Sequence, residues 1–231
     1  MLRFIGKKFK LFLYFILFIL LSTQITKNKT YDNIFFAEVN NIIVEGLSDK
    51  NNKKIQNSFK YLISENIFFI KKSEFQNILN KNNLVHSFNI KKIYPNLIKV
   101  EIDQTDFLAI TIKNNKKFYI GANGKLISQE EVEKINYDLP YVYTKINYAS
   151  FIKLKKIIDQ SEFNFEEISS FYFFPSDRWD FKTKDGFVIK LPKENIAKSL
   201  KIASLIKSNE KFKEKKIIDL RISSNIILSN E

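Results

Sequence analysis

Few side chains in this sequence could do chemistry, and their spacing rules most of it out. His86 is the only histidine in the 231 residues, and there is no cysteine. That removes thiol nucleophiles and thiolate metal sites and leaves a single imidazole without a second of its kind. The paired carboxylates, Glu130-Glu131 and Glu166-Glu167, are adjacent in sequence. Neighbours on a helix do not share a face, so both pairs read as solvated charge. None of the five glycines forms a phosphate-cradling loop. No catalytic residue, metal or cofactor is therefore expected. One charged pair is spaced in a way that carries meaning. Asp219 and Arg221 lie two apart in Ile217-Ile218-Asp219-Leu220-Arg221-Ile222, on one face of a strand. They read either as a surface ion pair worth under about 1 kcal/mol or as a recognition pair for a partner.

The strand that carries this pair is read as 217–228, at the end of the chain. An open sheet leaves unpaired N–H and C=O groups along its edge, and a last strand is a natural edge. Ile222, Ile226 and Ile227 are apolar enough to grip an incoming segment. Main-chain bonds would supply affinity and side-chain pockets specificity. Trp179, the only tryptophan, reads as a core anchor.

At the other end, Leu11 to Leu21 is apolar without a break, behind Arg3, Lys7, Lys8 and Lys10. A signal peptide is one reading, but Ser22-Thr23-Gln24 offers a poor small-residue cleavage site. The other is an uncleaved anchor, since 9–25 approaches the lower end of the roughly 17–25 residues needed to span a bilayer. We expect a transmembrane anchor at 11–25, with Leu11, Phe15, Phe18 and Leu21 in lipid. The basic tail, 1–10, then stays cytoplasmic and the remainder crosses. The net charge of +13 comes from 38 basic and 25 acidic residues. The cations are scattered between apolar residues, so nucleic acid is not expected as a partner. Weak attraction to anionic headgroups is a simpler use of the charge. An apolar fraction of 45% with 23 phenylalanines is enough to build real cores.

Residues 26–38 read as a juxtamembrane spacer. Asn41 to Gly46 is a β-branched strand closed by glycine. Ile55, Phe59 and Leu62 recur at helical spacing and predict a helix over 51–64. Ser73-Glu74-Phe75-Gln76 has the form of a capping box, with Ser73 as N-cap and Gln76 reaching back. Phe88 and Ile90 mark a half-buried strand, Tyr94-Pro95-Asn96 a turn, and Leu97 to Ile102 a returning strand. This predicts one sheet with two helices on a single face. The sheet is expected to continue without a linker through Ile110–Lys113 and Lys117–Ile120, with Asn114-Asn115 as the turn between them. Asn123-Gly124 reads as a type I′ hairpin dipeptide, with Lys125–Ile127 returning. A helix is expected over 148–159, then strands over 168–174, 177–183 and 187–191, the last two joined by an Asp185-Gly186 hairpin. Pro192 is placed to start a helix that carries Ile196, Leu200, Ala203 and Ile206.

Residues 39–105 resemble a POTRA domain. The likeness rests on Ile42-Ile43-Val44-Glu45-Gly46, Asn66-Ile67-Phe68, Val85, Ile90 and Tyr94-Pro95-Asn96-Leu97-Ile98. Residues 106–231 resemble the β-domain of the FtsQ/DivIB division proteins. The matching residues there are Tyr119-Ile120, Gly124, Leu139-Pro140, Arg178-Trp179, Asp185-Gly186, Leu191-Pro192, Leu200 and Ile218-Asp219-Leu220-Arg221. The chain departs from the family at Gln104-Thr105-Asp106-Phe107-Leu108-Ala109, where only the alanine is kept. It departs again at Gly121, Val142 and Tyr143. The resemblance implies an α+β protein: a single N-terminal transmembrane helix, then a POTRA domain continuous with a mostly antiparallel β-domain carrying helices on one face. It also implies a non-catalytic divisome scaffold of the inner membrane, single-pass type II with its bulk periplasmic, at the division septum. The implied partners are the FtsB and FtsL division proteins and other divisome members, with no small-molecule substrate, and the implied role is to assemble and regulate septal peptidoglycan synthesis. The implied partner-binding residues are Arg178, Asp219, Arg221, Ile222, Ser224, Asn225, Ile226 and Ile227. The alternative is a POTRA-containing factor for outer-membrane protein assembly or secretion, which would need repeated modules and a following barrel.

Overall fold

The computed structural model describes residues 7–22, 37–133, 138–144, 148–222 and 225–230. The chain divides between Phe36 and Ala37 into two units. In the first, α1 (Lys7–Ser22) is 16 residues long, a rise of about 24 Å. Its large side chains are apolar on every side and exposed, from 41% at Ile16 to 72% at Leu11, with Phe15, Phe18 and Leu21 within that range. Among the described residues no helix is long and apolar enough to cross a membrane. Residues 23–25 of the expected anchor lie outside the described residues.

The second unit begins earlier than expected. Ala37 is buried, and its carbonyl accepts the Ile67 N–H at 2.8 Å. Glu38 bridges Asn66, so 37–38 belong to the fold and not to a spacer. The unit's first layer holds β1 (Asn41–Glu45), α2 (Asp49–Ser58), α3 (Lys72–Leu79), β2 (Val85–Ile93) and β3 (Leu97–Gln104). The strands lie in the order β1-β3-β2. The central β3 runs parallel to β1, with Ile42 beside Ile98, and antiparallel to β2. Alternation puts Ile42, Val44, Ile98, Val100 and Ile102 on one face, against Ile55, Phe59, Leu62, Phe75 and Leu79. The other face is polar, with Lys99 paired to Glu45 and Glu101, and Lys91 to Glu101. Gly46 sits at φ +110, and a Cβ there would fall on the Ile102 carbonyl, so the turn out of β1 needs glycine.

Two helix boundaries differ from expectation. The predicted 51–64 helix ends at Ser58, and a 3₁₀ turn over Lys60–Leu62 carries Leu62 into the same core. Ser73 does not cap α3. The N-cap lies two residues earlier, at the extended Lys71, and Glu74 reaches back to accept its N–H at 3.0 Å.

The second layer is a separate nine-stranded sheet, so the first sheet does not continue into it. Its strands are β4 (Phe107–Lys113), β5 (Lys116–Gly121), β6 (Leu126–Ser128), β7 (Tyr141–Tyr143), β8 (Ile168–Phe174), β9 (Arg178–Thr183), β10 (Val188–Lys190), β11 (Ile217–Asp219) and β12 (Ile227–Ser229). They lie in the order β12-β11-β10-β9-β8-β7-β4-β5-β6. Most neighbours are antiparallel. The β4–β7, β7–β8 and β10–β11 pairs are parallel. Helices α4 (Ala149–Asp159) and α5 (Ile196–Ser208) cover one face, packing Phe151, Leu154, Ile158, Leu200 and Ala203 against Phe171, Trp179, Phe181, Ile189 and Ile218. Trp179 is 4% exposed, and its Nε1 donates to Ser150 Oγ at 3.1 Å. Pro192 ends β10 but starts no helix; α5 begins after a left-handed Asn195.

The left-handed dipeptide that suits a type I′ turn is Asn114-Asn115, with φ 51 and 59, not Asn123-Gly124, where only Gly124 has positive φ. Asn123 works across the layers instead. Its amide donates to the carbonyls of Asn83 and Val85 at 2.9 and 3.0 Å, and its Oδ1 accepts the Lys125 N–H. Leu84 joins Phe107, Ile110, Tyr119 and Ile127 in a small shared cluster. Asn51 adds a bond from the helical layer to the Glu131 carbonyl at 2.8 Å. Only Thr105 and Asp106 separate β3 from β4, and Thr105 is 2% exposed.

Candidate partner-binding edge

The end of the nine-stranded sheet is built by a β10–α5–β11 crossover followed by a reversal. β11 lies parallel to β10, with Ile218 beside Ile189. The chain then turns, the Asn225 N–H donating to the Ile222 carbonyl at 3.1 Å. β12 comes back antiparallel, pairing Ser229, Leu228 and Ile227 with Ile217, Ile218 and Asp219. The expected single strand over 217–228 is therefore two three-residue strands. The edge is β12, and β11 is covered on both sides.

The ladder shows which backbone groups of β12 are free. The Val188 N–H donates to Lys216 O at 2.8 Å, and the Leu220 N–H to Lys190 O at 2.9 Å. In a parallel ladder this turns the N–H and C=O of Ile217 and Asp219 away from β10 and toward β12. Their partners, Ser229 and Ile227, are thereby engaged. Leu228, between them, presents its N–H and C=O off the sheet. Its side chain packs on the core beneath. Ile222, Ile226 and Ile227 are 51–56% exposed beside this edge.

A row of charges crosses the sheet next to the edge, on the face opposite the helices. Lys190 on β10 lies in register with Asp180 on β9 and with Asp219 on β11. Asp180 and Asp219 are only 5% and 7% exposed. Arg221 Nε donates to both Asp219 oxygens, at 2.8 and 2.9 Å, and its Nη2 bonds Oδ2. The Arg221 N–H adds a third donor at 3.1 Å. These bonds hold the Asp219 carboxyl below the usual carboxylate range. Asp180 moves the other way. Burial raises it, against the attraction of Arg178, Lys190 and Arg221. Arg178 Nε stands 3.7 Å from Asp180 Oδ1, and both atoms are buried without a hydrogen-bond partner. Farther along the same face Tyr143 stacks on Tyr172 at 5.1 Å.

The family described as Cell division protein FtsQ/DivIB, C-terminal, matches residues 109–221. This span contains the whole charged row and stops before β12. A cell division protein FtsQ of Rickettsia conorii is 26% identical over 187 residues, which is 80% of this chain and 69% of the relative. That of Rickettsia felis is 24% identical over 230 residues, 94% of this chain and 84% of the relative. The matched span and these relatives agree in likening the chain to FtsQ/DivIB division proteins. The solved extracytoplasmic domain of the division protein DivIB from Geobacillus stearothermophilus aligns with 46% of this chain and 93% of that one, at TM-score 0.35 and 16% identity. That superposition is too loose to bear on the fold.

The structure brings Arg178, Asp219 and Arg221 together around Asp180 and Lys190, and sets Ile222, Ile226 and Ile227 around the turn and edge. Asn225 sits in the turn, not on a ladder. Ser224 lies outside the described residues. The surface ion pair expected of Asp219 and Arg221 is half right: Arg221 is open to solvent and Asp219 is buried. Sequence reasoning missed Leu228, Asp180 and Lys190. Asp180 was findable, since it lies two residues from Arg178 on the same strand face, whereas Lys190 is placed beside Asp219 only by the ladder register. The acidic pairs are structural, Glu131 meeting Lys54 and Glu167 meeting Lys207.

Proposed function

We propose that the chain is a bitopic division protein of the inner membrane, tethered by α1 and the residues after it, with a POTRA layer and a β-layer outside. It scaffolds septal peptidoglycan synthesis without chemistry of its own. Its partners are the FtsB/FtsL pair, received along β12 by strand addition, and other divisome members. The observation that carries this reading is the outward-facing Leu228 backbone among exposed isoleucines, at one of the two ends of the nine-stranded sheet. Asp219 and Arg221 lie beside the edge, where they would fix the register of an incoming segment by charge, with Arg178 on β9, three strands in from β12. The test is co-purification of the full chain from membranes, comparing the native protein with Leu228→Pro and Leu228→Ala. The expected result is that the proline variant alone loses the FtsB-type partner. Equal recovery with both folded variants would refute binding at β12.

A further inference from the structure

Of the large apolar side chains described in 37–231, Phe69 and Phe68 are the most exposed, at 79% and 61%. They are held out, not frayed out. Ile67 and Ile70, on either side, are 0% and 5% exposed. The Phe68 N–H is fixed by Asn66 Oδ1 at 3.0 Å and the Phe69 N–H by the Asn66 carbonyl at 3.0 Å. Tyr94 stacks on Phe68 with centroids 5.0 Å apart and is itself 56% exposed. Ile93, next to Tyr94 in the chain, is 43% exposed. A contiguous aromatic patch on a soluble surface marks a surface that something covers.

Its place in the fold says what covers it. The patch surrounds the point where the chain enters the second unit. The Ala37 carbonyl accepts the Ile67 N–H, and the Val39 carbonyl accepts the Ser64 N–H at 2.9 Å. Only fourteen residues separate Ala37 from Ser22 at the end of the apolar α1, a reach of at most about 50 Å. A surface so tethered meets the bilayer at high effective concentration. The basic neighbours in this region are Lys60, Lys71, Lys72 and Lys92, and the acidic ones are Glu38, Glu65 and Glu74. Charge is thus nearly balanced, and apolar contact is the main attraction. Aromatic rings with polar tips suit the headgroup boundary, and long lysines reach back to the phosphates.

We propose that Phe68, Phe69 and Tyr94 form a docking surface that inserts into the interface of the phospholipid bilayer. The patch holds the first layer at a bilayer surface, a reading that rests on the anchoring of α1 proposed above.

The chain has no cysteine, so single labels report unambiguously. Full-length protein is reconstituted into phosphatidylethanolamine–phosphatidylglycerol vesicles with an environment-sensitive fluorophore at Ser64→Cys, Phe12→Cys or Lys116→Cys. Nitroxide-labelled lipids serve as quenchers. The expected result is quenching and a blue shift at 64 and 12, with none at 116. Phe68→Ser/Phe69→Ser/Tyr94→Ser returns the probe at 64 to the level at 116, with the melting curve unchanged. A probe at 64 that stays unquenched while 12 is quenched overturns the docking surface and leaves the anchor standing. An unquenched probe at 12 overturns the anchor instead, and quenching at 64 then still supports docking.

Discussion

Leu228→Pro isolates the backbone of the edge. The Leu228 N–H points away from β11, so proline at this position removes a donor offered to a partner and none used within the sheet. A lost hydrogen bond is worth about 0.5–1.5 kcal/mol, and a carbonyl of the incoming strand left buried without a partner raises the cost to about 2–3 kcal/mol. That corresponds to a dissociation constant weakened roughly 30- to 150-fold. Leu228 also packs on the core, so the reference is Leu228→Ala, which loses the packing and keeps the N–H. The measurement is calorimetric titration of the detergent-solubilised chain with the FtsB-type partner proposed above, with circular dichroism confirming that both variants are folded. Ser229→Pro is the contrasting control. It removes a bond to Ile217 and frays β12 itself. If Leu228→Pro and Leu228→Ala bind with equal affinity, the incoming segment does not pair with this edge.

Gly46→Ala sets a Cβ on the Ile102 carbonyl at a left-handed φ and is expected to destabilise the protein by about 3 kcal/mol or more in urea unfolding. Arg221→Gln removes the guanidinium that bonds the Asp219 carboxylate and leaves the backbone N–H. At pH 7 the loss is about 1–2 kcal/mol, kept small because the guanidinium is open to solvent. Asp219 is depressed in the folded state, so its contribution is complete above the unfolded value of about 4 and disappears as pH falls through the folded one. The difference between native and variant should therefore vanish in acid, and an undiminished difference at pH 2 would refute the assignment. Asn123→Ala breaks the bonds to Asn83 and Val85 and is expected to cost about 1–3 kcal/mol. The check is faster hydrogen exchange at the joint, at residues 83–85 and 105–107, ahead of global unfolding.

Local periodicity made most of the strands legible. Ile98, Val100 and Ile102 alternate, and a period of two gives both the strand and its buried face. Pairing order was not legible. β7 lies between β4 and β8, both parallel to it, and α4 separates β7 from β8. No residue in β7 specifies its neighbours. The C-terminal reversal was missed because Ile217–Ile222 and Asn225–Leu228 both suit a strand, and the turn signal in Ser223-Ser224-Asn225 was read through. The burial of Asp180 and Asp219 was also hidden, because alternation assigns a face and not how deeply that face is covered. At Asn123 the hairpin dipeptide Asn-Gly suggests a local turn, whereas the side chain is taken up by a contact across the joint.

The shortness of β12 has a consequence for the protein on its own. An uncovered edge is a template for another copy of itself, and exposed isoleucines favour such pairing. Three residues, with one outward-facing pair of backbone groups at Leu228, give two identical chains at most a couple of bonds around a twofold axis. Homodimers and fibrils are thereby disfavoured while a longer, different segment is still accepted. The same economy carries a liability under the proposed strand addition: overproduced alone, the chain exposes Ile222, Ile226 and Ile227, and co-production of the proposed partner is expected to raise its solubility.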